Sequence, residues 1–141
     1  MSLRVVTPSG DFDDLPPEEL DEVLREIFLA DPEGYWSRSG GDAGLHFDDG
    51  EVHARLVLLY QAGRGYYVSY YRSGEGTERV LQRDEGPEAA VTIYFGGEPM
   101  KVSSRMFVTP PEAWDAIVQF IKNAQRSAPR SGLSWQPTGR V

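Results

Sequence analysis

Residues 45–72, LHFDDGEVHARLVLLYQAGRGYYVSYYR, decide the fold. Two turn signals divide this stretch into three apolar segments. Asp49-Gly50 predicts a two-residue type I′ hairpin turn, because both central residues of that turn must tolerate positive φ. It pairs 45–47 with 52–53, places 48 opposite 51 and 46 opposite 53, and lets the second strand run to Tyr60. Ala62-Gly63-Arg64-Gly65 then turns the chain into a third strand over 66–72. Within that strand, alternation sends Tyr66, Val68 and Tyr70 to one face and Tyr67, Ser69 and Tyr71 to the other. Strands joined in succession by short turns make an antiparallel meander.

The elements on either side fit a sheet covered by helices. Residues 3–6 predict a short first strand, closed by the turn-prone stretch 7–10. Residues 11–22 carry seven acids and no base. Pro16 and Pro17 suit a helix's first turn, and Glu18, Glu19, Asp21 and Glu22 complement the positive end of its dipole. Leu20, Val23, Leu24, Ile27 and Phe28 recur at helical spacing and form an apolar stripe. Asp31-Pro32 and Gly34 end the helix, and an irregular stretch with Tyr35, Trp36 and Gly40-Gly41 follows. Downstream of the decisive segment, 73–88 reads as a long polar loop, 90–95 as the fourth strand and 106–108 as a short one. Thr109, as a cap, and Pro110-Pro111-Glu112 open a second helix whose predicted stripe is Trp114, Ile117, Val118, Ile121 and Ala124. The expected fold is therefore α+β: an antiparallel meander with two amphipathic helices packed on one face, in a single domain spanning 1–141.

Composition narrows the function. The 141 residues hold 22 Asp and Glu against 14 Lys and Arg, a formal charge of −8. Nucleic-acid binding depends on neutralising phosphates with clustered bases, so this balance argues against it and suits a basic partner. Four bases and no acid follow Asp115, so acidic and basic portions are segregated. Without cysteine there is no disulfide, thiolate metal site or cysteine nucleophile. The longest apolar runs, such as 56–60, are too short to cross a bilayer, and the MSLRVVTPSG start has no apolar h-region. A cytoplasmic protein that does not engage membranes is expected.

Candidates for catalysis are few. His46 and His53 are the only histidines. In the two-residue hairpin they would gather with Asp48 and Glu51 in a conceivable zinc or nickel patch. Alternating polar residues are more simply the solvated face of a hairpin. Ser73-Gly74-Glu75-Gly76 and Gly40-Gly41 lack the spacing of phosphate-binding loops, and 11–22 lacks the alternation and central glycine of an EF-hand. The expectation is no enzyme, no metal and no cofactor.

The sheet is more informative. If the helices cover the face bearing Tyr66, Val68, Tyr70, Val91, Ile93 and Phe95, then Tyr67, Tyr71 and Tyr94 are left on the open face near Val57 and Leu59. Tyrosines there serve either as anchors for a partner or as cross-strand pairs that stabilise the sheet. Asp48, Asp49 and Glu51 at the hairpin tip, with Glu75 and Glu78 in the long loop, would form an acidic rim. Trp36, Trp114 and Trp135 are assigned to packing, Trp135 as a latch that closes the fold.

The carboxy-terminal block FVTPPEAWDAIVQFIKNAQRSAPRSGLSW, residues 107–135, resembles the end of the first-numbered immunity-protein family of bacterial polymorphic toxin systems. The matching residues are Val108, Pro110, Phe120, Arg126, Pro129 and Trp135. Leu58-Leu59-Tyr60, the glycine turn and Tyr70-Tyr71 fit the middle of that pattern, so the likeness extends over roughly residues 15–136. The resemblance implies an α+β fold and a non-catalytic inhibitor that binds a cognate toxin domain; some similar proteins guard against nucleobase-deaminase toxins. A small-molecule or peptide-binding module and an accessory subunit are the competing readings.

Overall fold

A computed structural model of the chain describes residues 2–39, 41–74, 78–83, 86–95, 97–123 and 134–137. The decisive segment forms strands β3 (Asp42–Asp48), β4 (His53–Gln61) and β5 (Gly65–Arg72), paired antiparallel in succession. They sit at the centre of a seven-stranded sheet. On one side β3 meets β1 (Ser2–Thr7), which turns back into β2 (Gly10–Asp13) at the edge. On the other, β5 pairs with β6 (Arg79–Gln82), and β6 pairs with β9 (Ser134–Pro137). Along edge strand β2, Asp11 and Asp13 lie 3.6 and 3.3 Å from the Arg4 guanidinium. The α+β class is as expected.

One face of this sheet carries the main core, as its alternation requires. Val5, Leu45, Phe47, Leu56, Leu58, Tyr66, Val68, Tyr70 and Leu81 are buried there beneath three helices. Helix α1 (Pro17–Arg25) and the π-helical turn Glu26–Ala30 bring in Leu20, Leu24, Ile27 and Phe28, the stripe read from the sequence. Helix α2 (Pro32–Ser39) occupies the stretch expected to be irregular and buries Trp36. Asp31-Pro32 ends one helix but also begins the next: Asp31 Oδ1 accepts from Gly34 N at 3.2 Å, a cap followed by proline in the first turn.

Helix α3 (Pro110–Asn123) buries Ala113, Ala116, Ile117 and Phe120, of which the predicted stripe held only Ile117. The two alanines let the helix approach the sheet closely, and Phe120 meets Tyr70 edge-on at 6.2 Å. Trp114, Val118 and Ile121 line the groove towards α1 instead, where the Arg25 guanidinium lies 5.0 Å over the Trp114 ring. Ala124 lies outside the described residues.

The back face departs furthest from expectation. Strands β7 (Ala90–Phe95) and β8 (Glu98–Ser103) form a separate two-stranded sheet. Val91 and Ile93 were expected to face the helices. Together with Val102 they pack against Leu59, Tyr67 and Val80 on the opposite side. A short 3-10 turn, Ser104–Met106, then returns the chain to the main sheet, where Val108 and Tyr66 exchange backbone hydrogen bonds of 2.8 and 2.9 Å. Gly65 permits that crossing: its φ is +107° and a Cβ there would collide with the Val108 carbonyl. The predicted loop 73–88 contains β6, whose four residues, with only Val80 and Leu81 apolar, are too few to announce a strand by alternation. Trp135 on β9 lies 5.9 Å from Tyr70, at the margin of the main core. No helix among the described residues is long and apolar enough to cross a membrane.

Candidate functional site

The β7–β8 hairpin covers only part of the back face, around Leu59, Tyr67 and Val80. The register defines what lies on the rest. One row across the strands reads Asp13, Arg4, His46, Arg55 and Tyr71. The adjacent row reads Val6, Gly44, Val57, Ser69 and Val80. Long polar side chains thus stand beside a row of short ones, and the difference in reach opens a hollow of about 270 Å³ between them. Asp42, His46, Arg55 and Glu78 border it, and Gly44 and Ser69 contribute the least bulk.

Arg55 organises the charged row. Its guanidinium lies 4.8 Å over the Tyr71 ring, close enough for a cation–π contact. Its Nη2 is 3.7 Å from Glu78 Oε2, an ion pair too long for a direct hydrogen bond. The His46 ring leans over Gly44, where a Cβ would come within 2.9 Å of Nε2. Burial holds the His46 pKa below its ordinary value, and the positive neighbours His53, Arg55 and Arg4 push the same way.

The hairpin tip differs from the expected two-residue turn. Asp48 pairs with His53 and His46 with Arg55, so residues 49–52 form a longer loop. The reason is the Asp49 carboxylate, which accepts from Val52 N at 2.7 Å and Glu51 N at 2.9 Å. Those two amides also hold its pKa below the usual carboxylate value. The histidines are consequently diagonal neighbours, 5.9 Å between ring centroids, with Asp48 Oδ2 4.0 Å from His53 Nδ1. Among the described residues no group of three or more metal-ligating side chains is assembled.

The expected site residues divide accordingly. Tyr71 is half-buried on the uncovered face opposite Arg55, and Asp48, Asp49 and Glu51 are exposed at the β3–β4 tip. Tyr67 is on the same strand face but only 1% exposed, because the β7–β8 hairpin lies over it. Tyr94 is 65% exposed on the outer side of that hairpin, so it does not adjoin Tyr71 on the sheet. Glu78 is not a rim residue: it is 8% exposed, turned in towards Arg55 by the docking of β6 on β5. Glu75 lies outside the described residues. Arg4, Arg55, Gly44 and Ser69 were not singled out from the sequence. Correct register was the signal needed, since only cross-strand rows bring them together.

The arrangement offers mixed charge, an aromatic ring and a shallow hollow. Ser69 and His46 line the same hollow but share no hydrogen bond that would make the hydroxyl a nucleophile. Compared with models of known protein families and with curated proteins, the sequence matches none.

Proposed function

We propose that this chain is an immunity protein, a non-catalytic binder that neutralises a cognate bacterial toxin domain by direct contact within the cytoplasm of the producing cell. The observation that carries this reading is the uncovered half of the back face, where the Arg55 guanidinium lies over the half-buried Tyr71 ring and the strand pair β3–β4 ends in the exposed acids Asp48, Asp49 and Glu51. An aromatic residue ringed by charges suits a protein interface, with the ring as anchor and the charges steering encounter. The charge of −8 favours a basic partner, the kind of surface that a toxin acting on nucleic acid presents to phosphates. The resemblance of residues 107–135 to the immunity family supports the same reading.

The test is co-expression with the toxin domain encoded beside this gene, scored by survival, followed by titration of the purified pair. Rescue and a 1:1 complex of nanomolar or tighter Kd are expected. A folded protein that neither rescues nor binds overturns the proposal.

A further inference from the structure

We infer that the groove between α1 and α3 is a docking site for a basic amphipathic helix of a partner protein. It lies on the helical side of the sheet, opposite the face that carries Tyr71, and stands whether or not the chain is an immunity protein. The first observation is that α3 is apolar on two sides. Ala113, Ala116, Ile117 and Phe120 turn to the sheet and are buried. Trp114, Val118 and Ile121, spaced i, i+4 and i+7 along the same helix, line the groove instead, and Ile121 is 39% exposed. A surface helix needs only one apolar stripe to reach its own core, so a second stripe is a face for another molecule.

The second observation is the shape. Leu15, Leu20 and Leu24 line the groove from the α1 side, and the hollow between the two helices measures about 220 Å³. Two helical ridges of side chains with a valley between them receive the ridge of a third helix, as packed helices do in a core. An extended strand gains nothing comparable here, because the backbone groups along both helices are already bonded within them and offer no edge to extend.

The charges around the groove name the partner's chemistry. Asp21 and Lys122 are the two ionised groups in its lining. The Arg25 guanidinium is already held, by Asp21 at 2.8 Å and over the Trp114 ring at 5.0 Å. Glu18 and Glu22, next to Pro17 and Asp21 on α1, and Asp115, next to Trp114 on α3, are exposed. No ion pair among the described residues engages these three carboxylates. A second copy of the chain would bring the same carboxylates to the same place, and an anionic membrane surface would be repelled likewise. A helix with an apolar stripe bordered by lysine or arginine satisfies both the groove and its rim.

The experiment titrates synthetic peptides into the isotopically labelled full chain and follows backbone amide signals by NMR. Two peptides place leucines at helical spacing, one with lysine and the other with glutamate between them. A scrambled lysine peptide of equal composition, without the apolar stripe, is the control. Saturable shifts are expected at Leu20, Leu24, Val118 and Ile121 with the lysine peptide, and several-fold weaker binding with the other two. Ile121→Glu should weaken binding several-fold while retaining a dispersed spectrum. Asp115→Lys, which leaves the apolar wall intact, should weaken it too. No saturable shift, shifts that leave α3 untouched, or an equal response to the scrambled peptide overturns the docking site. An affinity unchanged by Ile121→Glu does the same. Sedimentation equilibrium of the chain alone should give a monomer; a dimer dispersed by Ile121→Glu puts a second copy in the groove and overturns the basic helix as its occupant.

Discussion

The indole N–H of Trp36 donates to the Tyr66 hydroxyl at 2.9 Å, and that hydroxyl donates onward to the Phe28 carbonyl at 3.0 Å. One oxygen thereby fastens α2, the π-helical turn and β5 inside the main core. The wider i→i+5 pattern of a π turn alters which carbonyls find partners along the helix, and Tyr66 serves one of them. Burial pushes the Tyr66 pKa well above that of an ordinary phenol, so the group stays protonated and keeps donating.

Tyr66→Phe strands both Trp36 Nε1 and the Phe28 carbonyl in the core. A loss of about 1–3 kcal/mol is expected, the cost of leaving buried polar groups unpaired. Tyr60→Phe provides the comparison. Its hydroxyl, pushed up to about 12 chiefly by burial and then by Glu33, bonds that carboxylate near the surface, where water can replace it. Urea unfolding of the two variants should therefore give a clearly larger loss for Tyr66→Phe; equal losses would contradict the core role.

A second joint lies at the entrance of α3. Thr109 Oγ1 accepts from Glu112 N at 3.3 Å and Glu112 Oε1 accepts from Thr109 N at 2.9 Å, a reciprocal capping box. Glu112 also pairs with Arg83, beyond the end of β6. Thr109→Ala should cost about 1 kcal/mol, as loss of a helix cap typically does. Glu112→Ala should cost more, because it releases the helix and Arg83 together. A double-mutant cycle with Arg83→Ala would show coupling between 83 and 112 and none between 83 and 109 if the pairing is as described.

The three tyrosines read as candidate anchors have different fates. Tyr67→Ala opens a cavity under the β7–β8 hairpin and should destabilise by about 3–5 kcal/mol, like other large aromatic truncations. Tyr71→Ala should leave the fold largely intact and weaken toxin binding by more than about 1 kcal/mol. Tyr94→Ala should alter stability little, given its exposure. Thermal unfolding combined with titration of the toxin separates the three. Loss of stability with unchanged affinity for Tyr71→Ala would remove it from the interface.

His46 gives the protein a pH-dependent stability of known sign. Its folded pKa lies below the ordinary imidazole value of about 6.5, first through burial and then through His53 and Arg55 on β4 and Arg4 on β1. The nearby carboxylates are Asp48 on its own strand, Asp42 and Glu78 around the hollow, and Asp11 and Asp13 against Arg4. The unfolded chain therefore takes up this proton more readily than the folded one. Stability from the neutral ring is complete above about pH 6.5 and is lost as the pH falls towards the folded pKa. Urea midpoints at pH 7.5 and 5 should differ less for His46→Gln than for the parent protein; an unchanged difference would contradict the sign.

Much of this architecture was legible because burial imposes a period. Leu20, Leu24, Ile27 and Phe28 read as a buried stripe and are one, and the Tyr66/Tyr67 alternation was assigned to opposite faces correctly. Pairing partners were harder. The side chain of Asp49 captures two amides and lengthens the tip, which no turn dipeptide discloses, and this moved His46 opposite Arg55. Nor does alternation say which face of a sheet a strand will cover. Val91 and Ile93 are apolar on one side whether they join the main sheet or cap its back, so the burial of Tyr67 was invisible. The hollow was beyond reach for the same reason: Val6, Gly44, Val57 and Ser69 are unremarkable singly and meaningful only as a row.

The Asp11 and Asp13 pair on β2 has a bearing on how copies of this chain treat one another. An outermost strand carries backbone donors and acceptors that a like strand could extend, the usual route to disordered stacking. Here that strand is four residues long, and its two carboxylates lie alongside Arg4 of β1. An antiparallel copy arriving at this edge would bring carboxylates up to carboxylates with their counter-charge already engaged. A cell can therefore accumulate this chain in excess with its sheet closed to self-extension on that side.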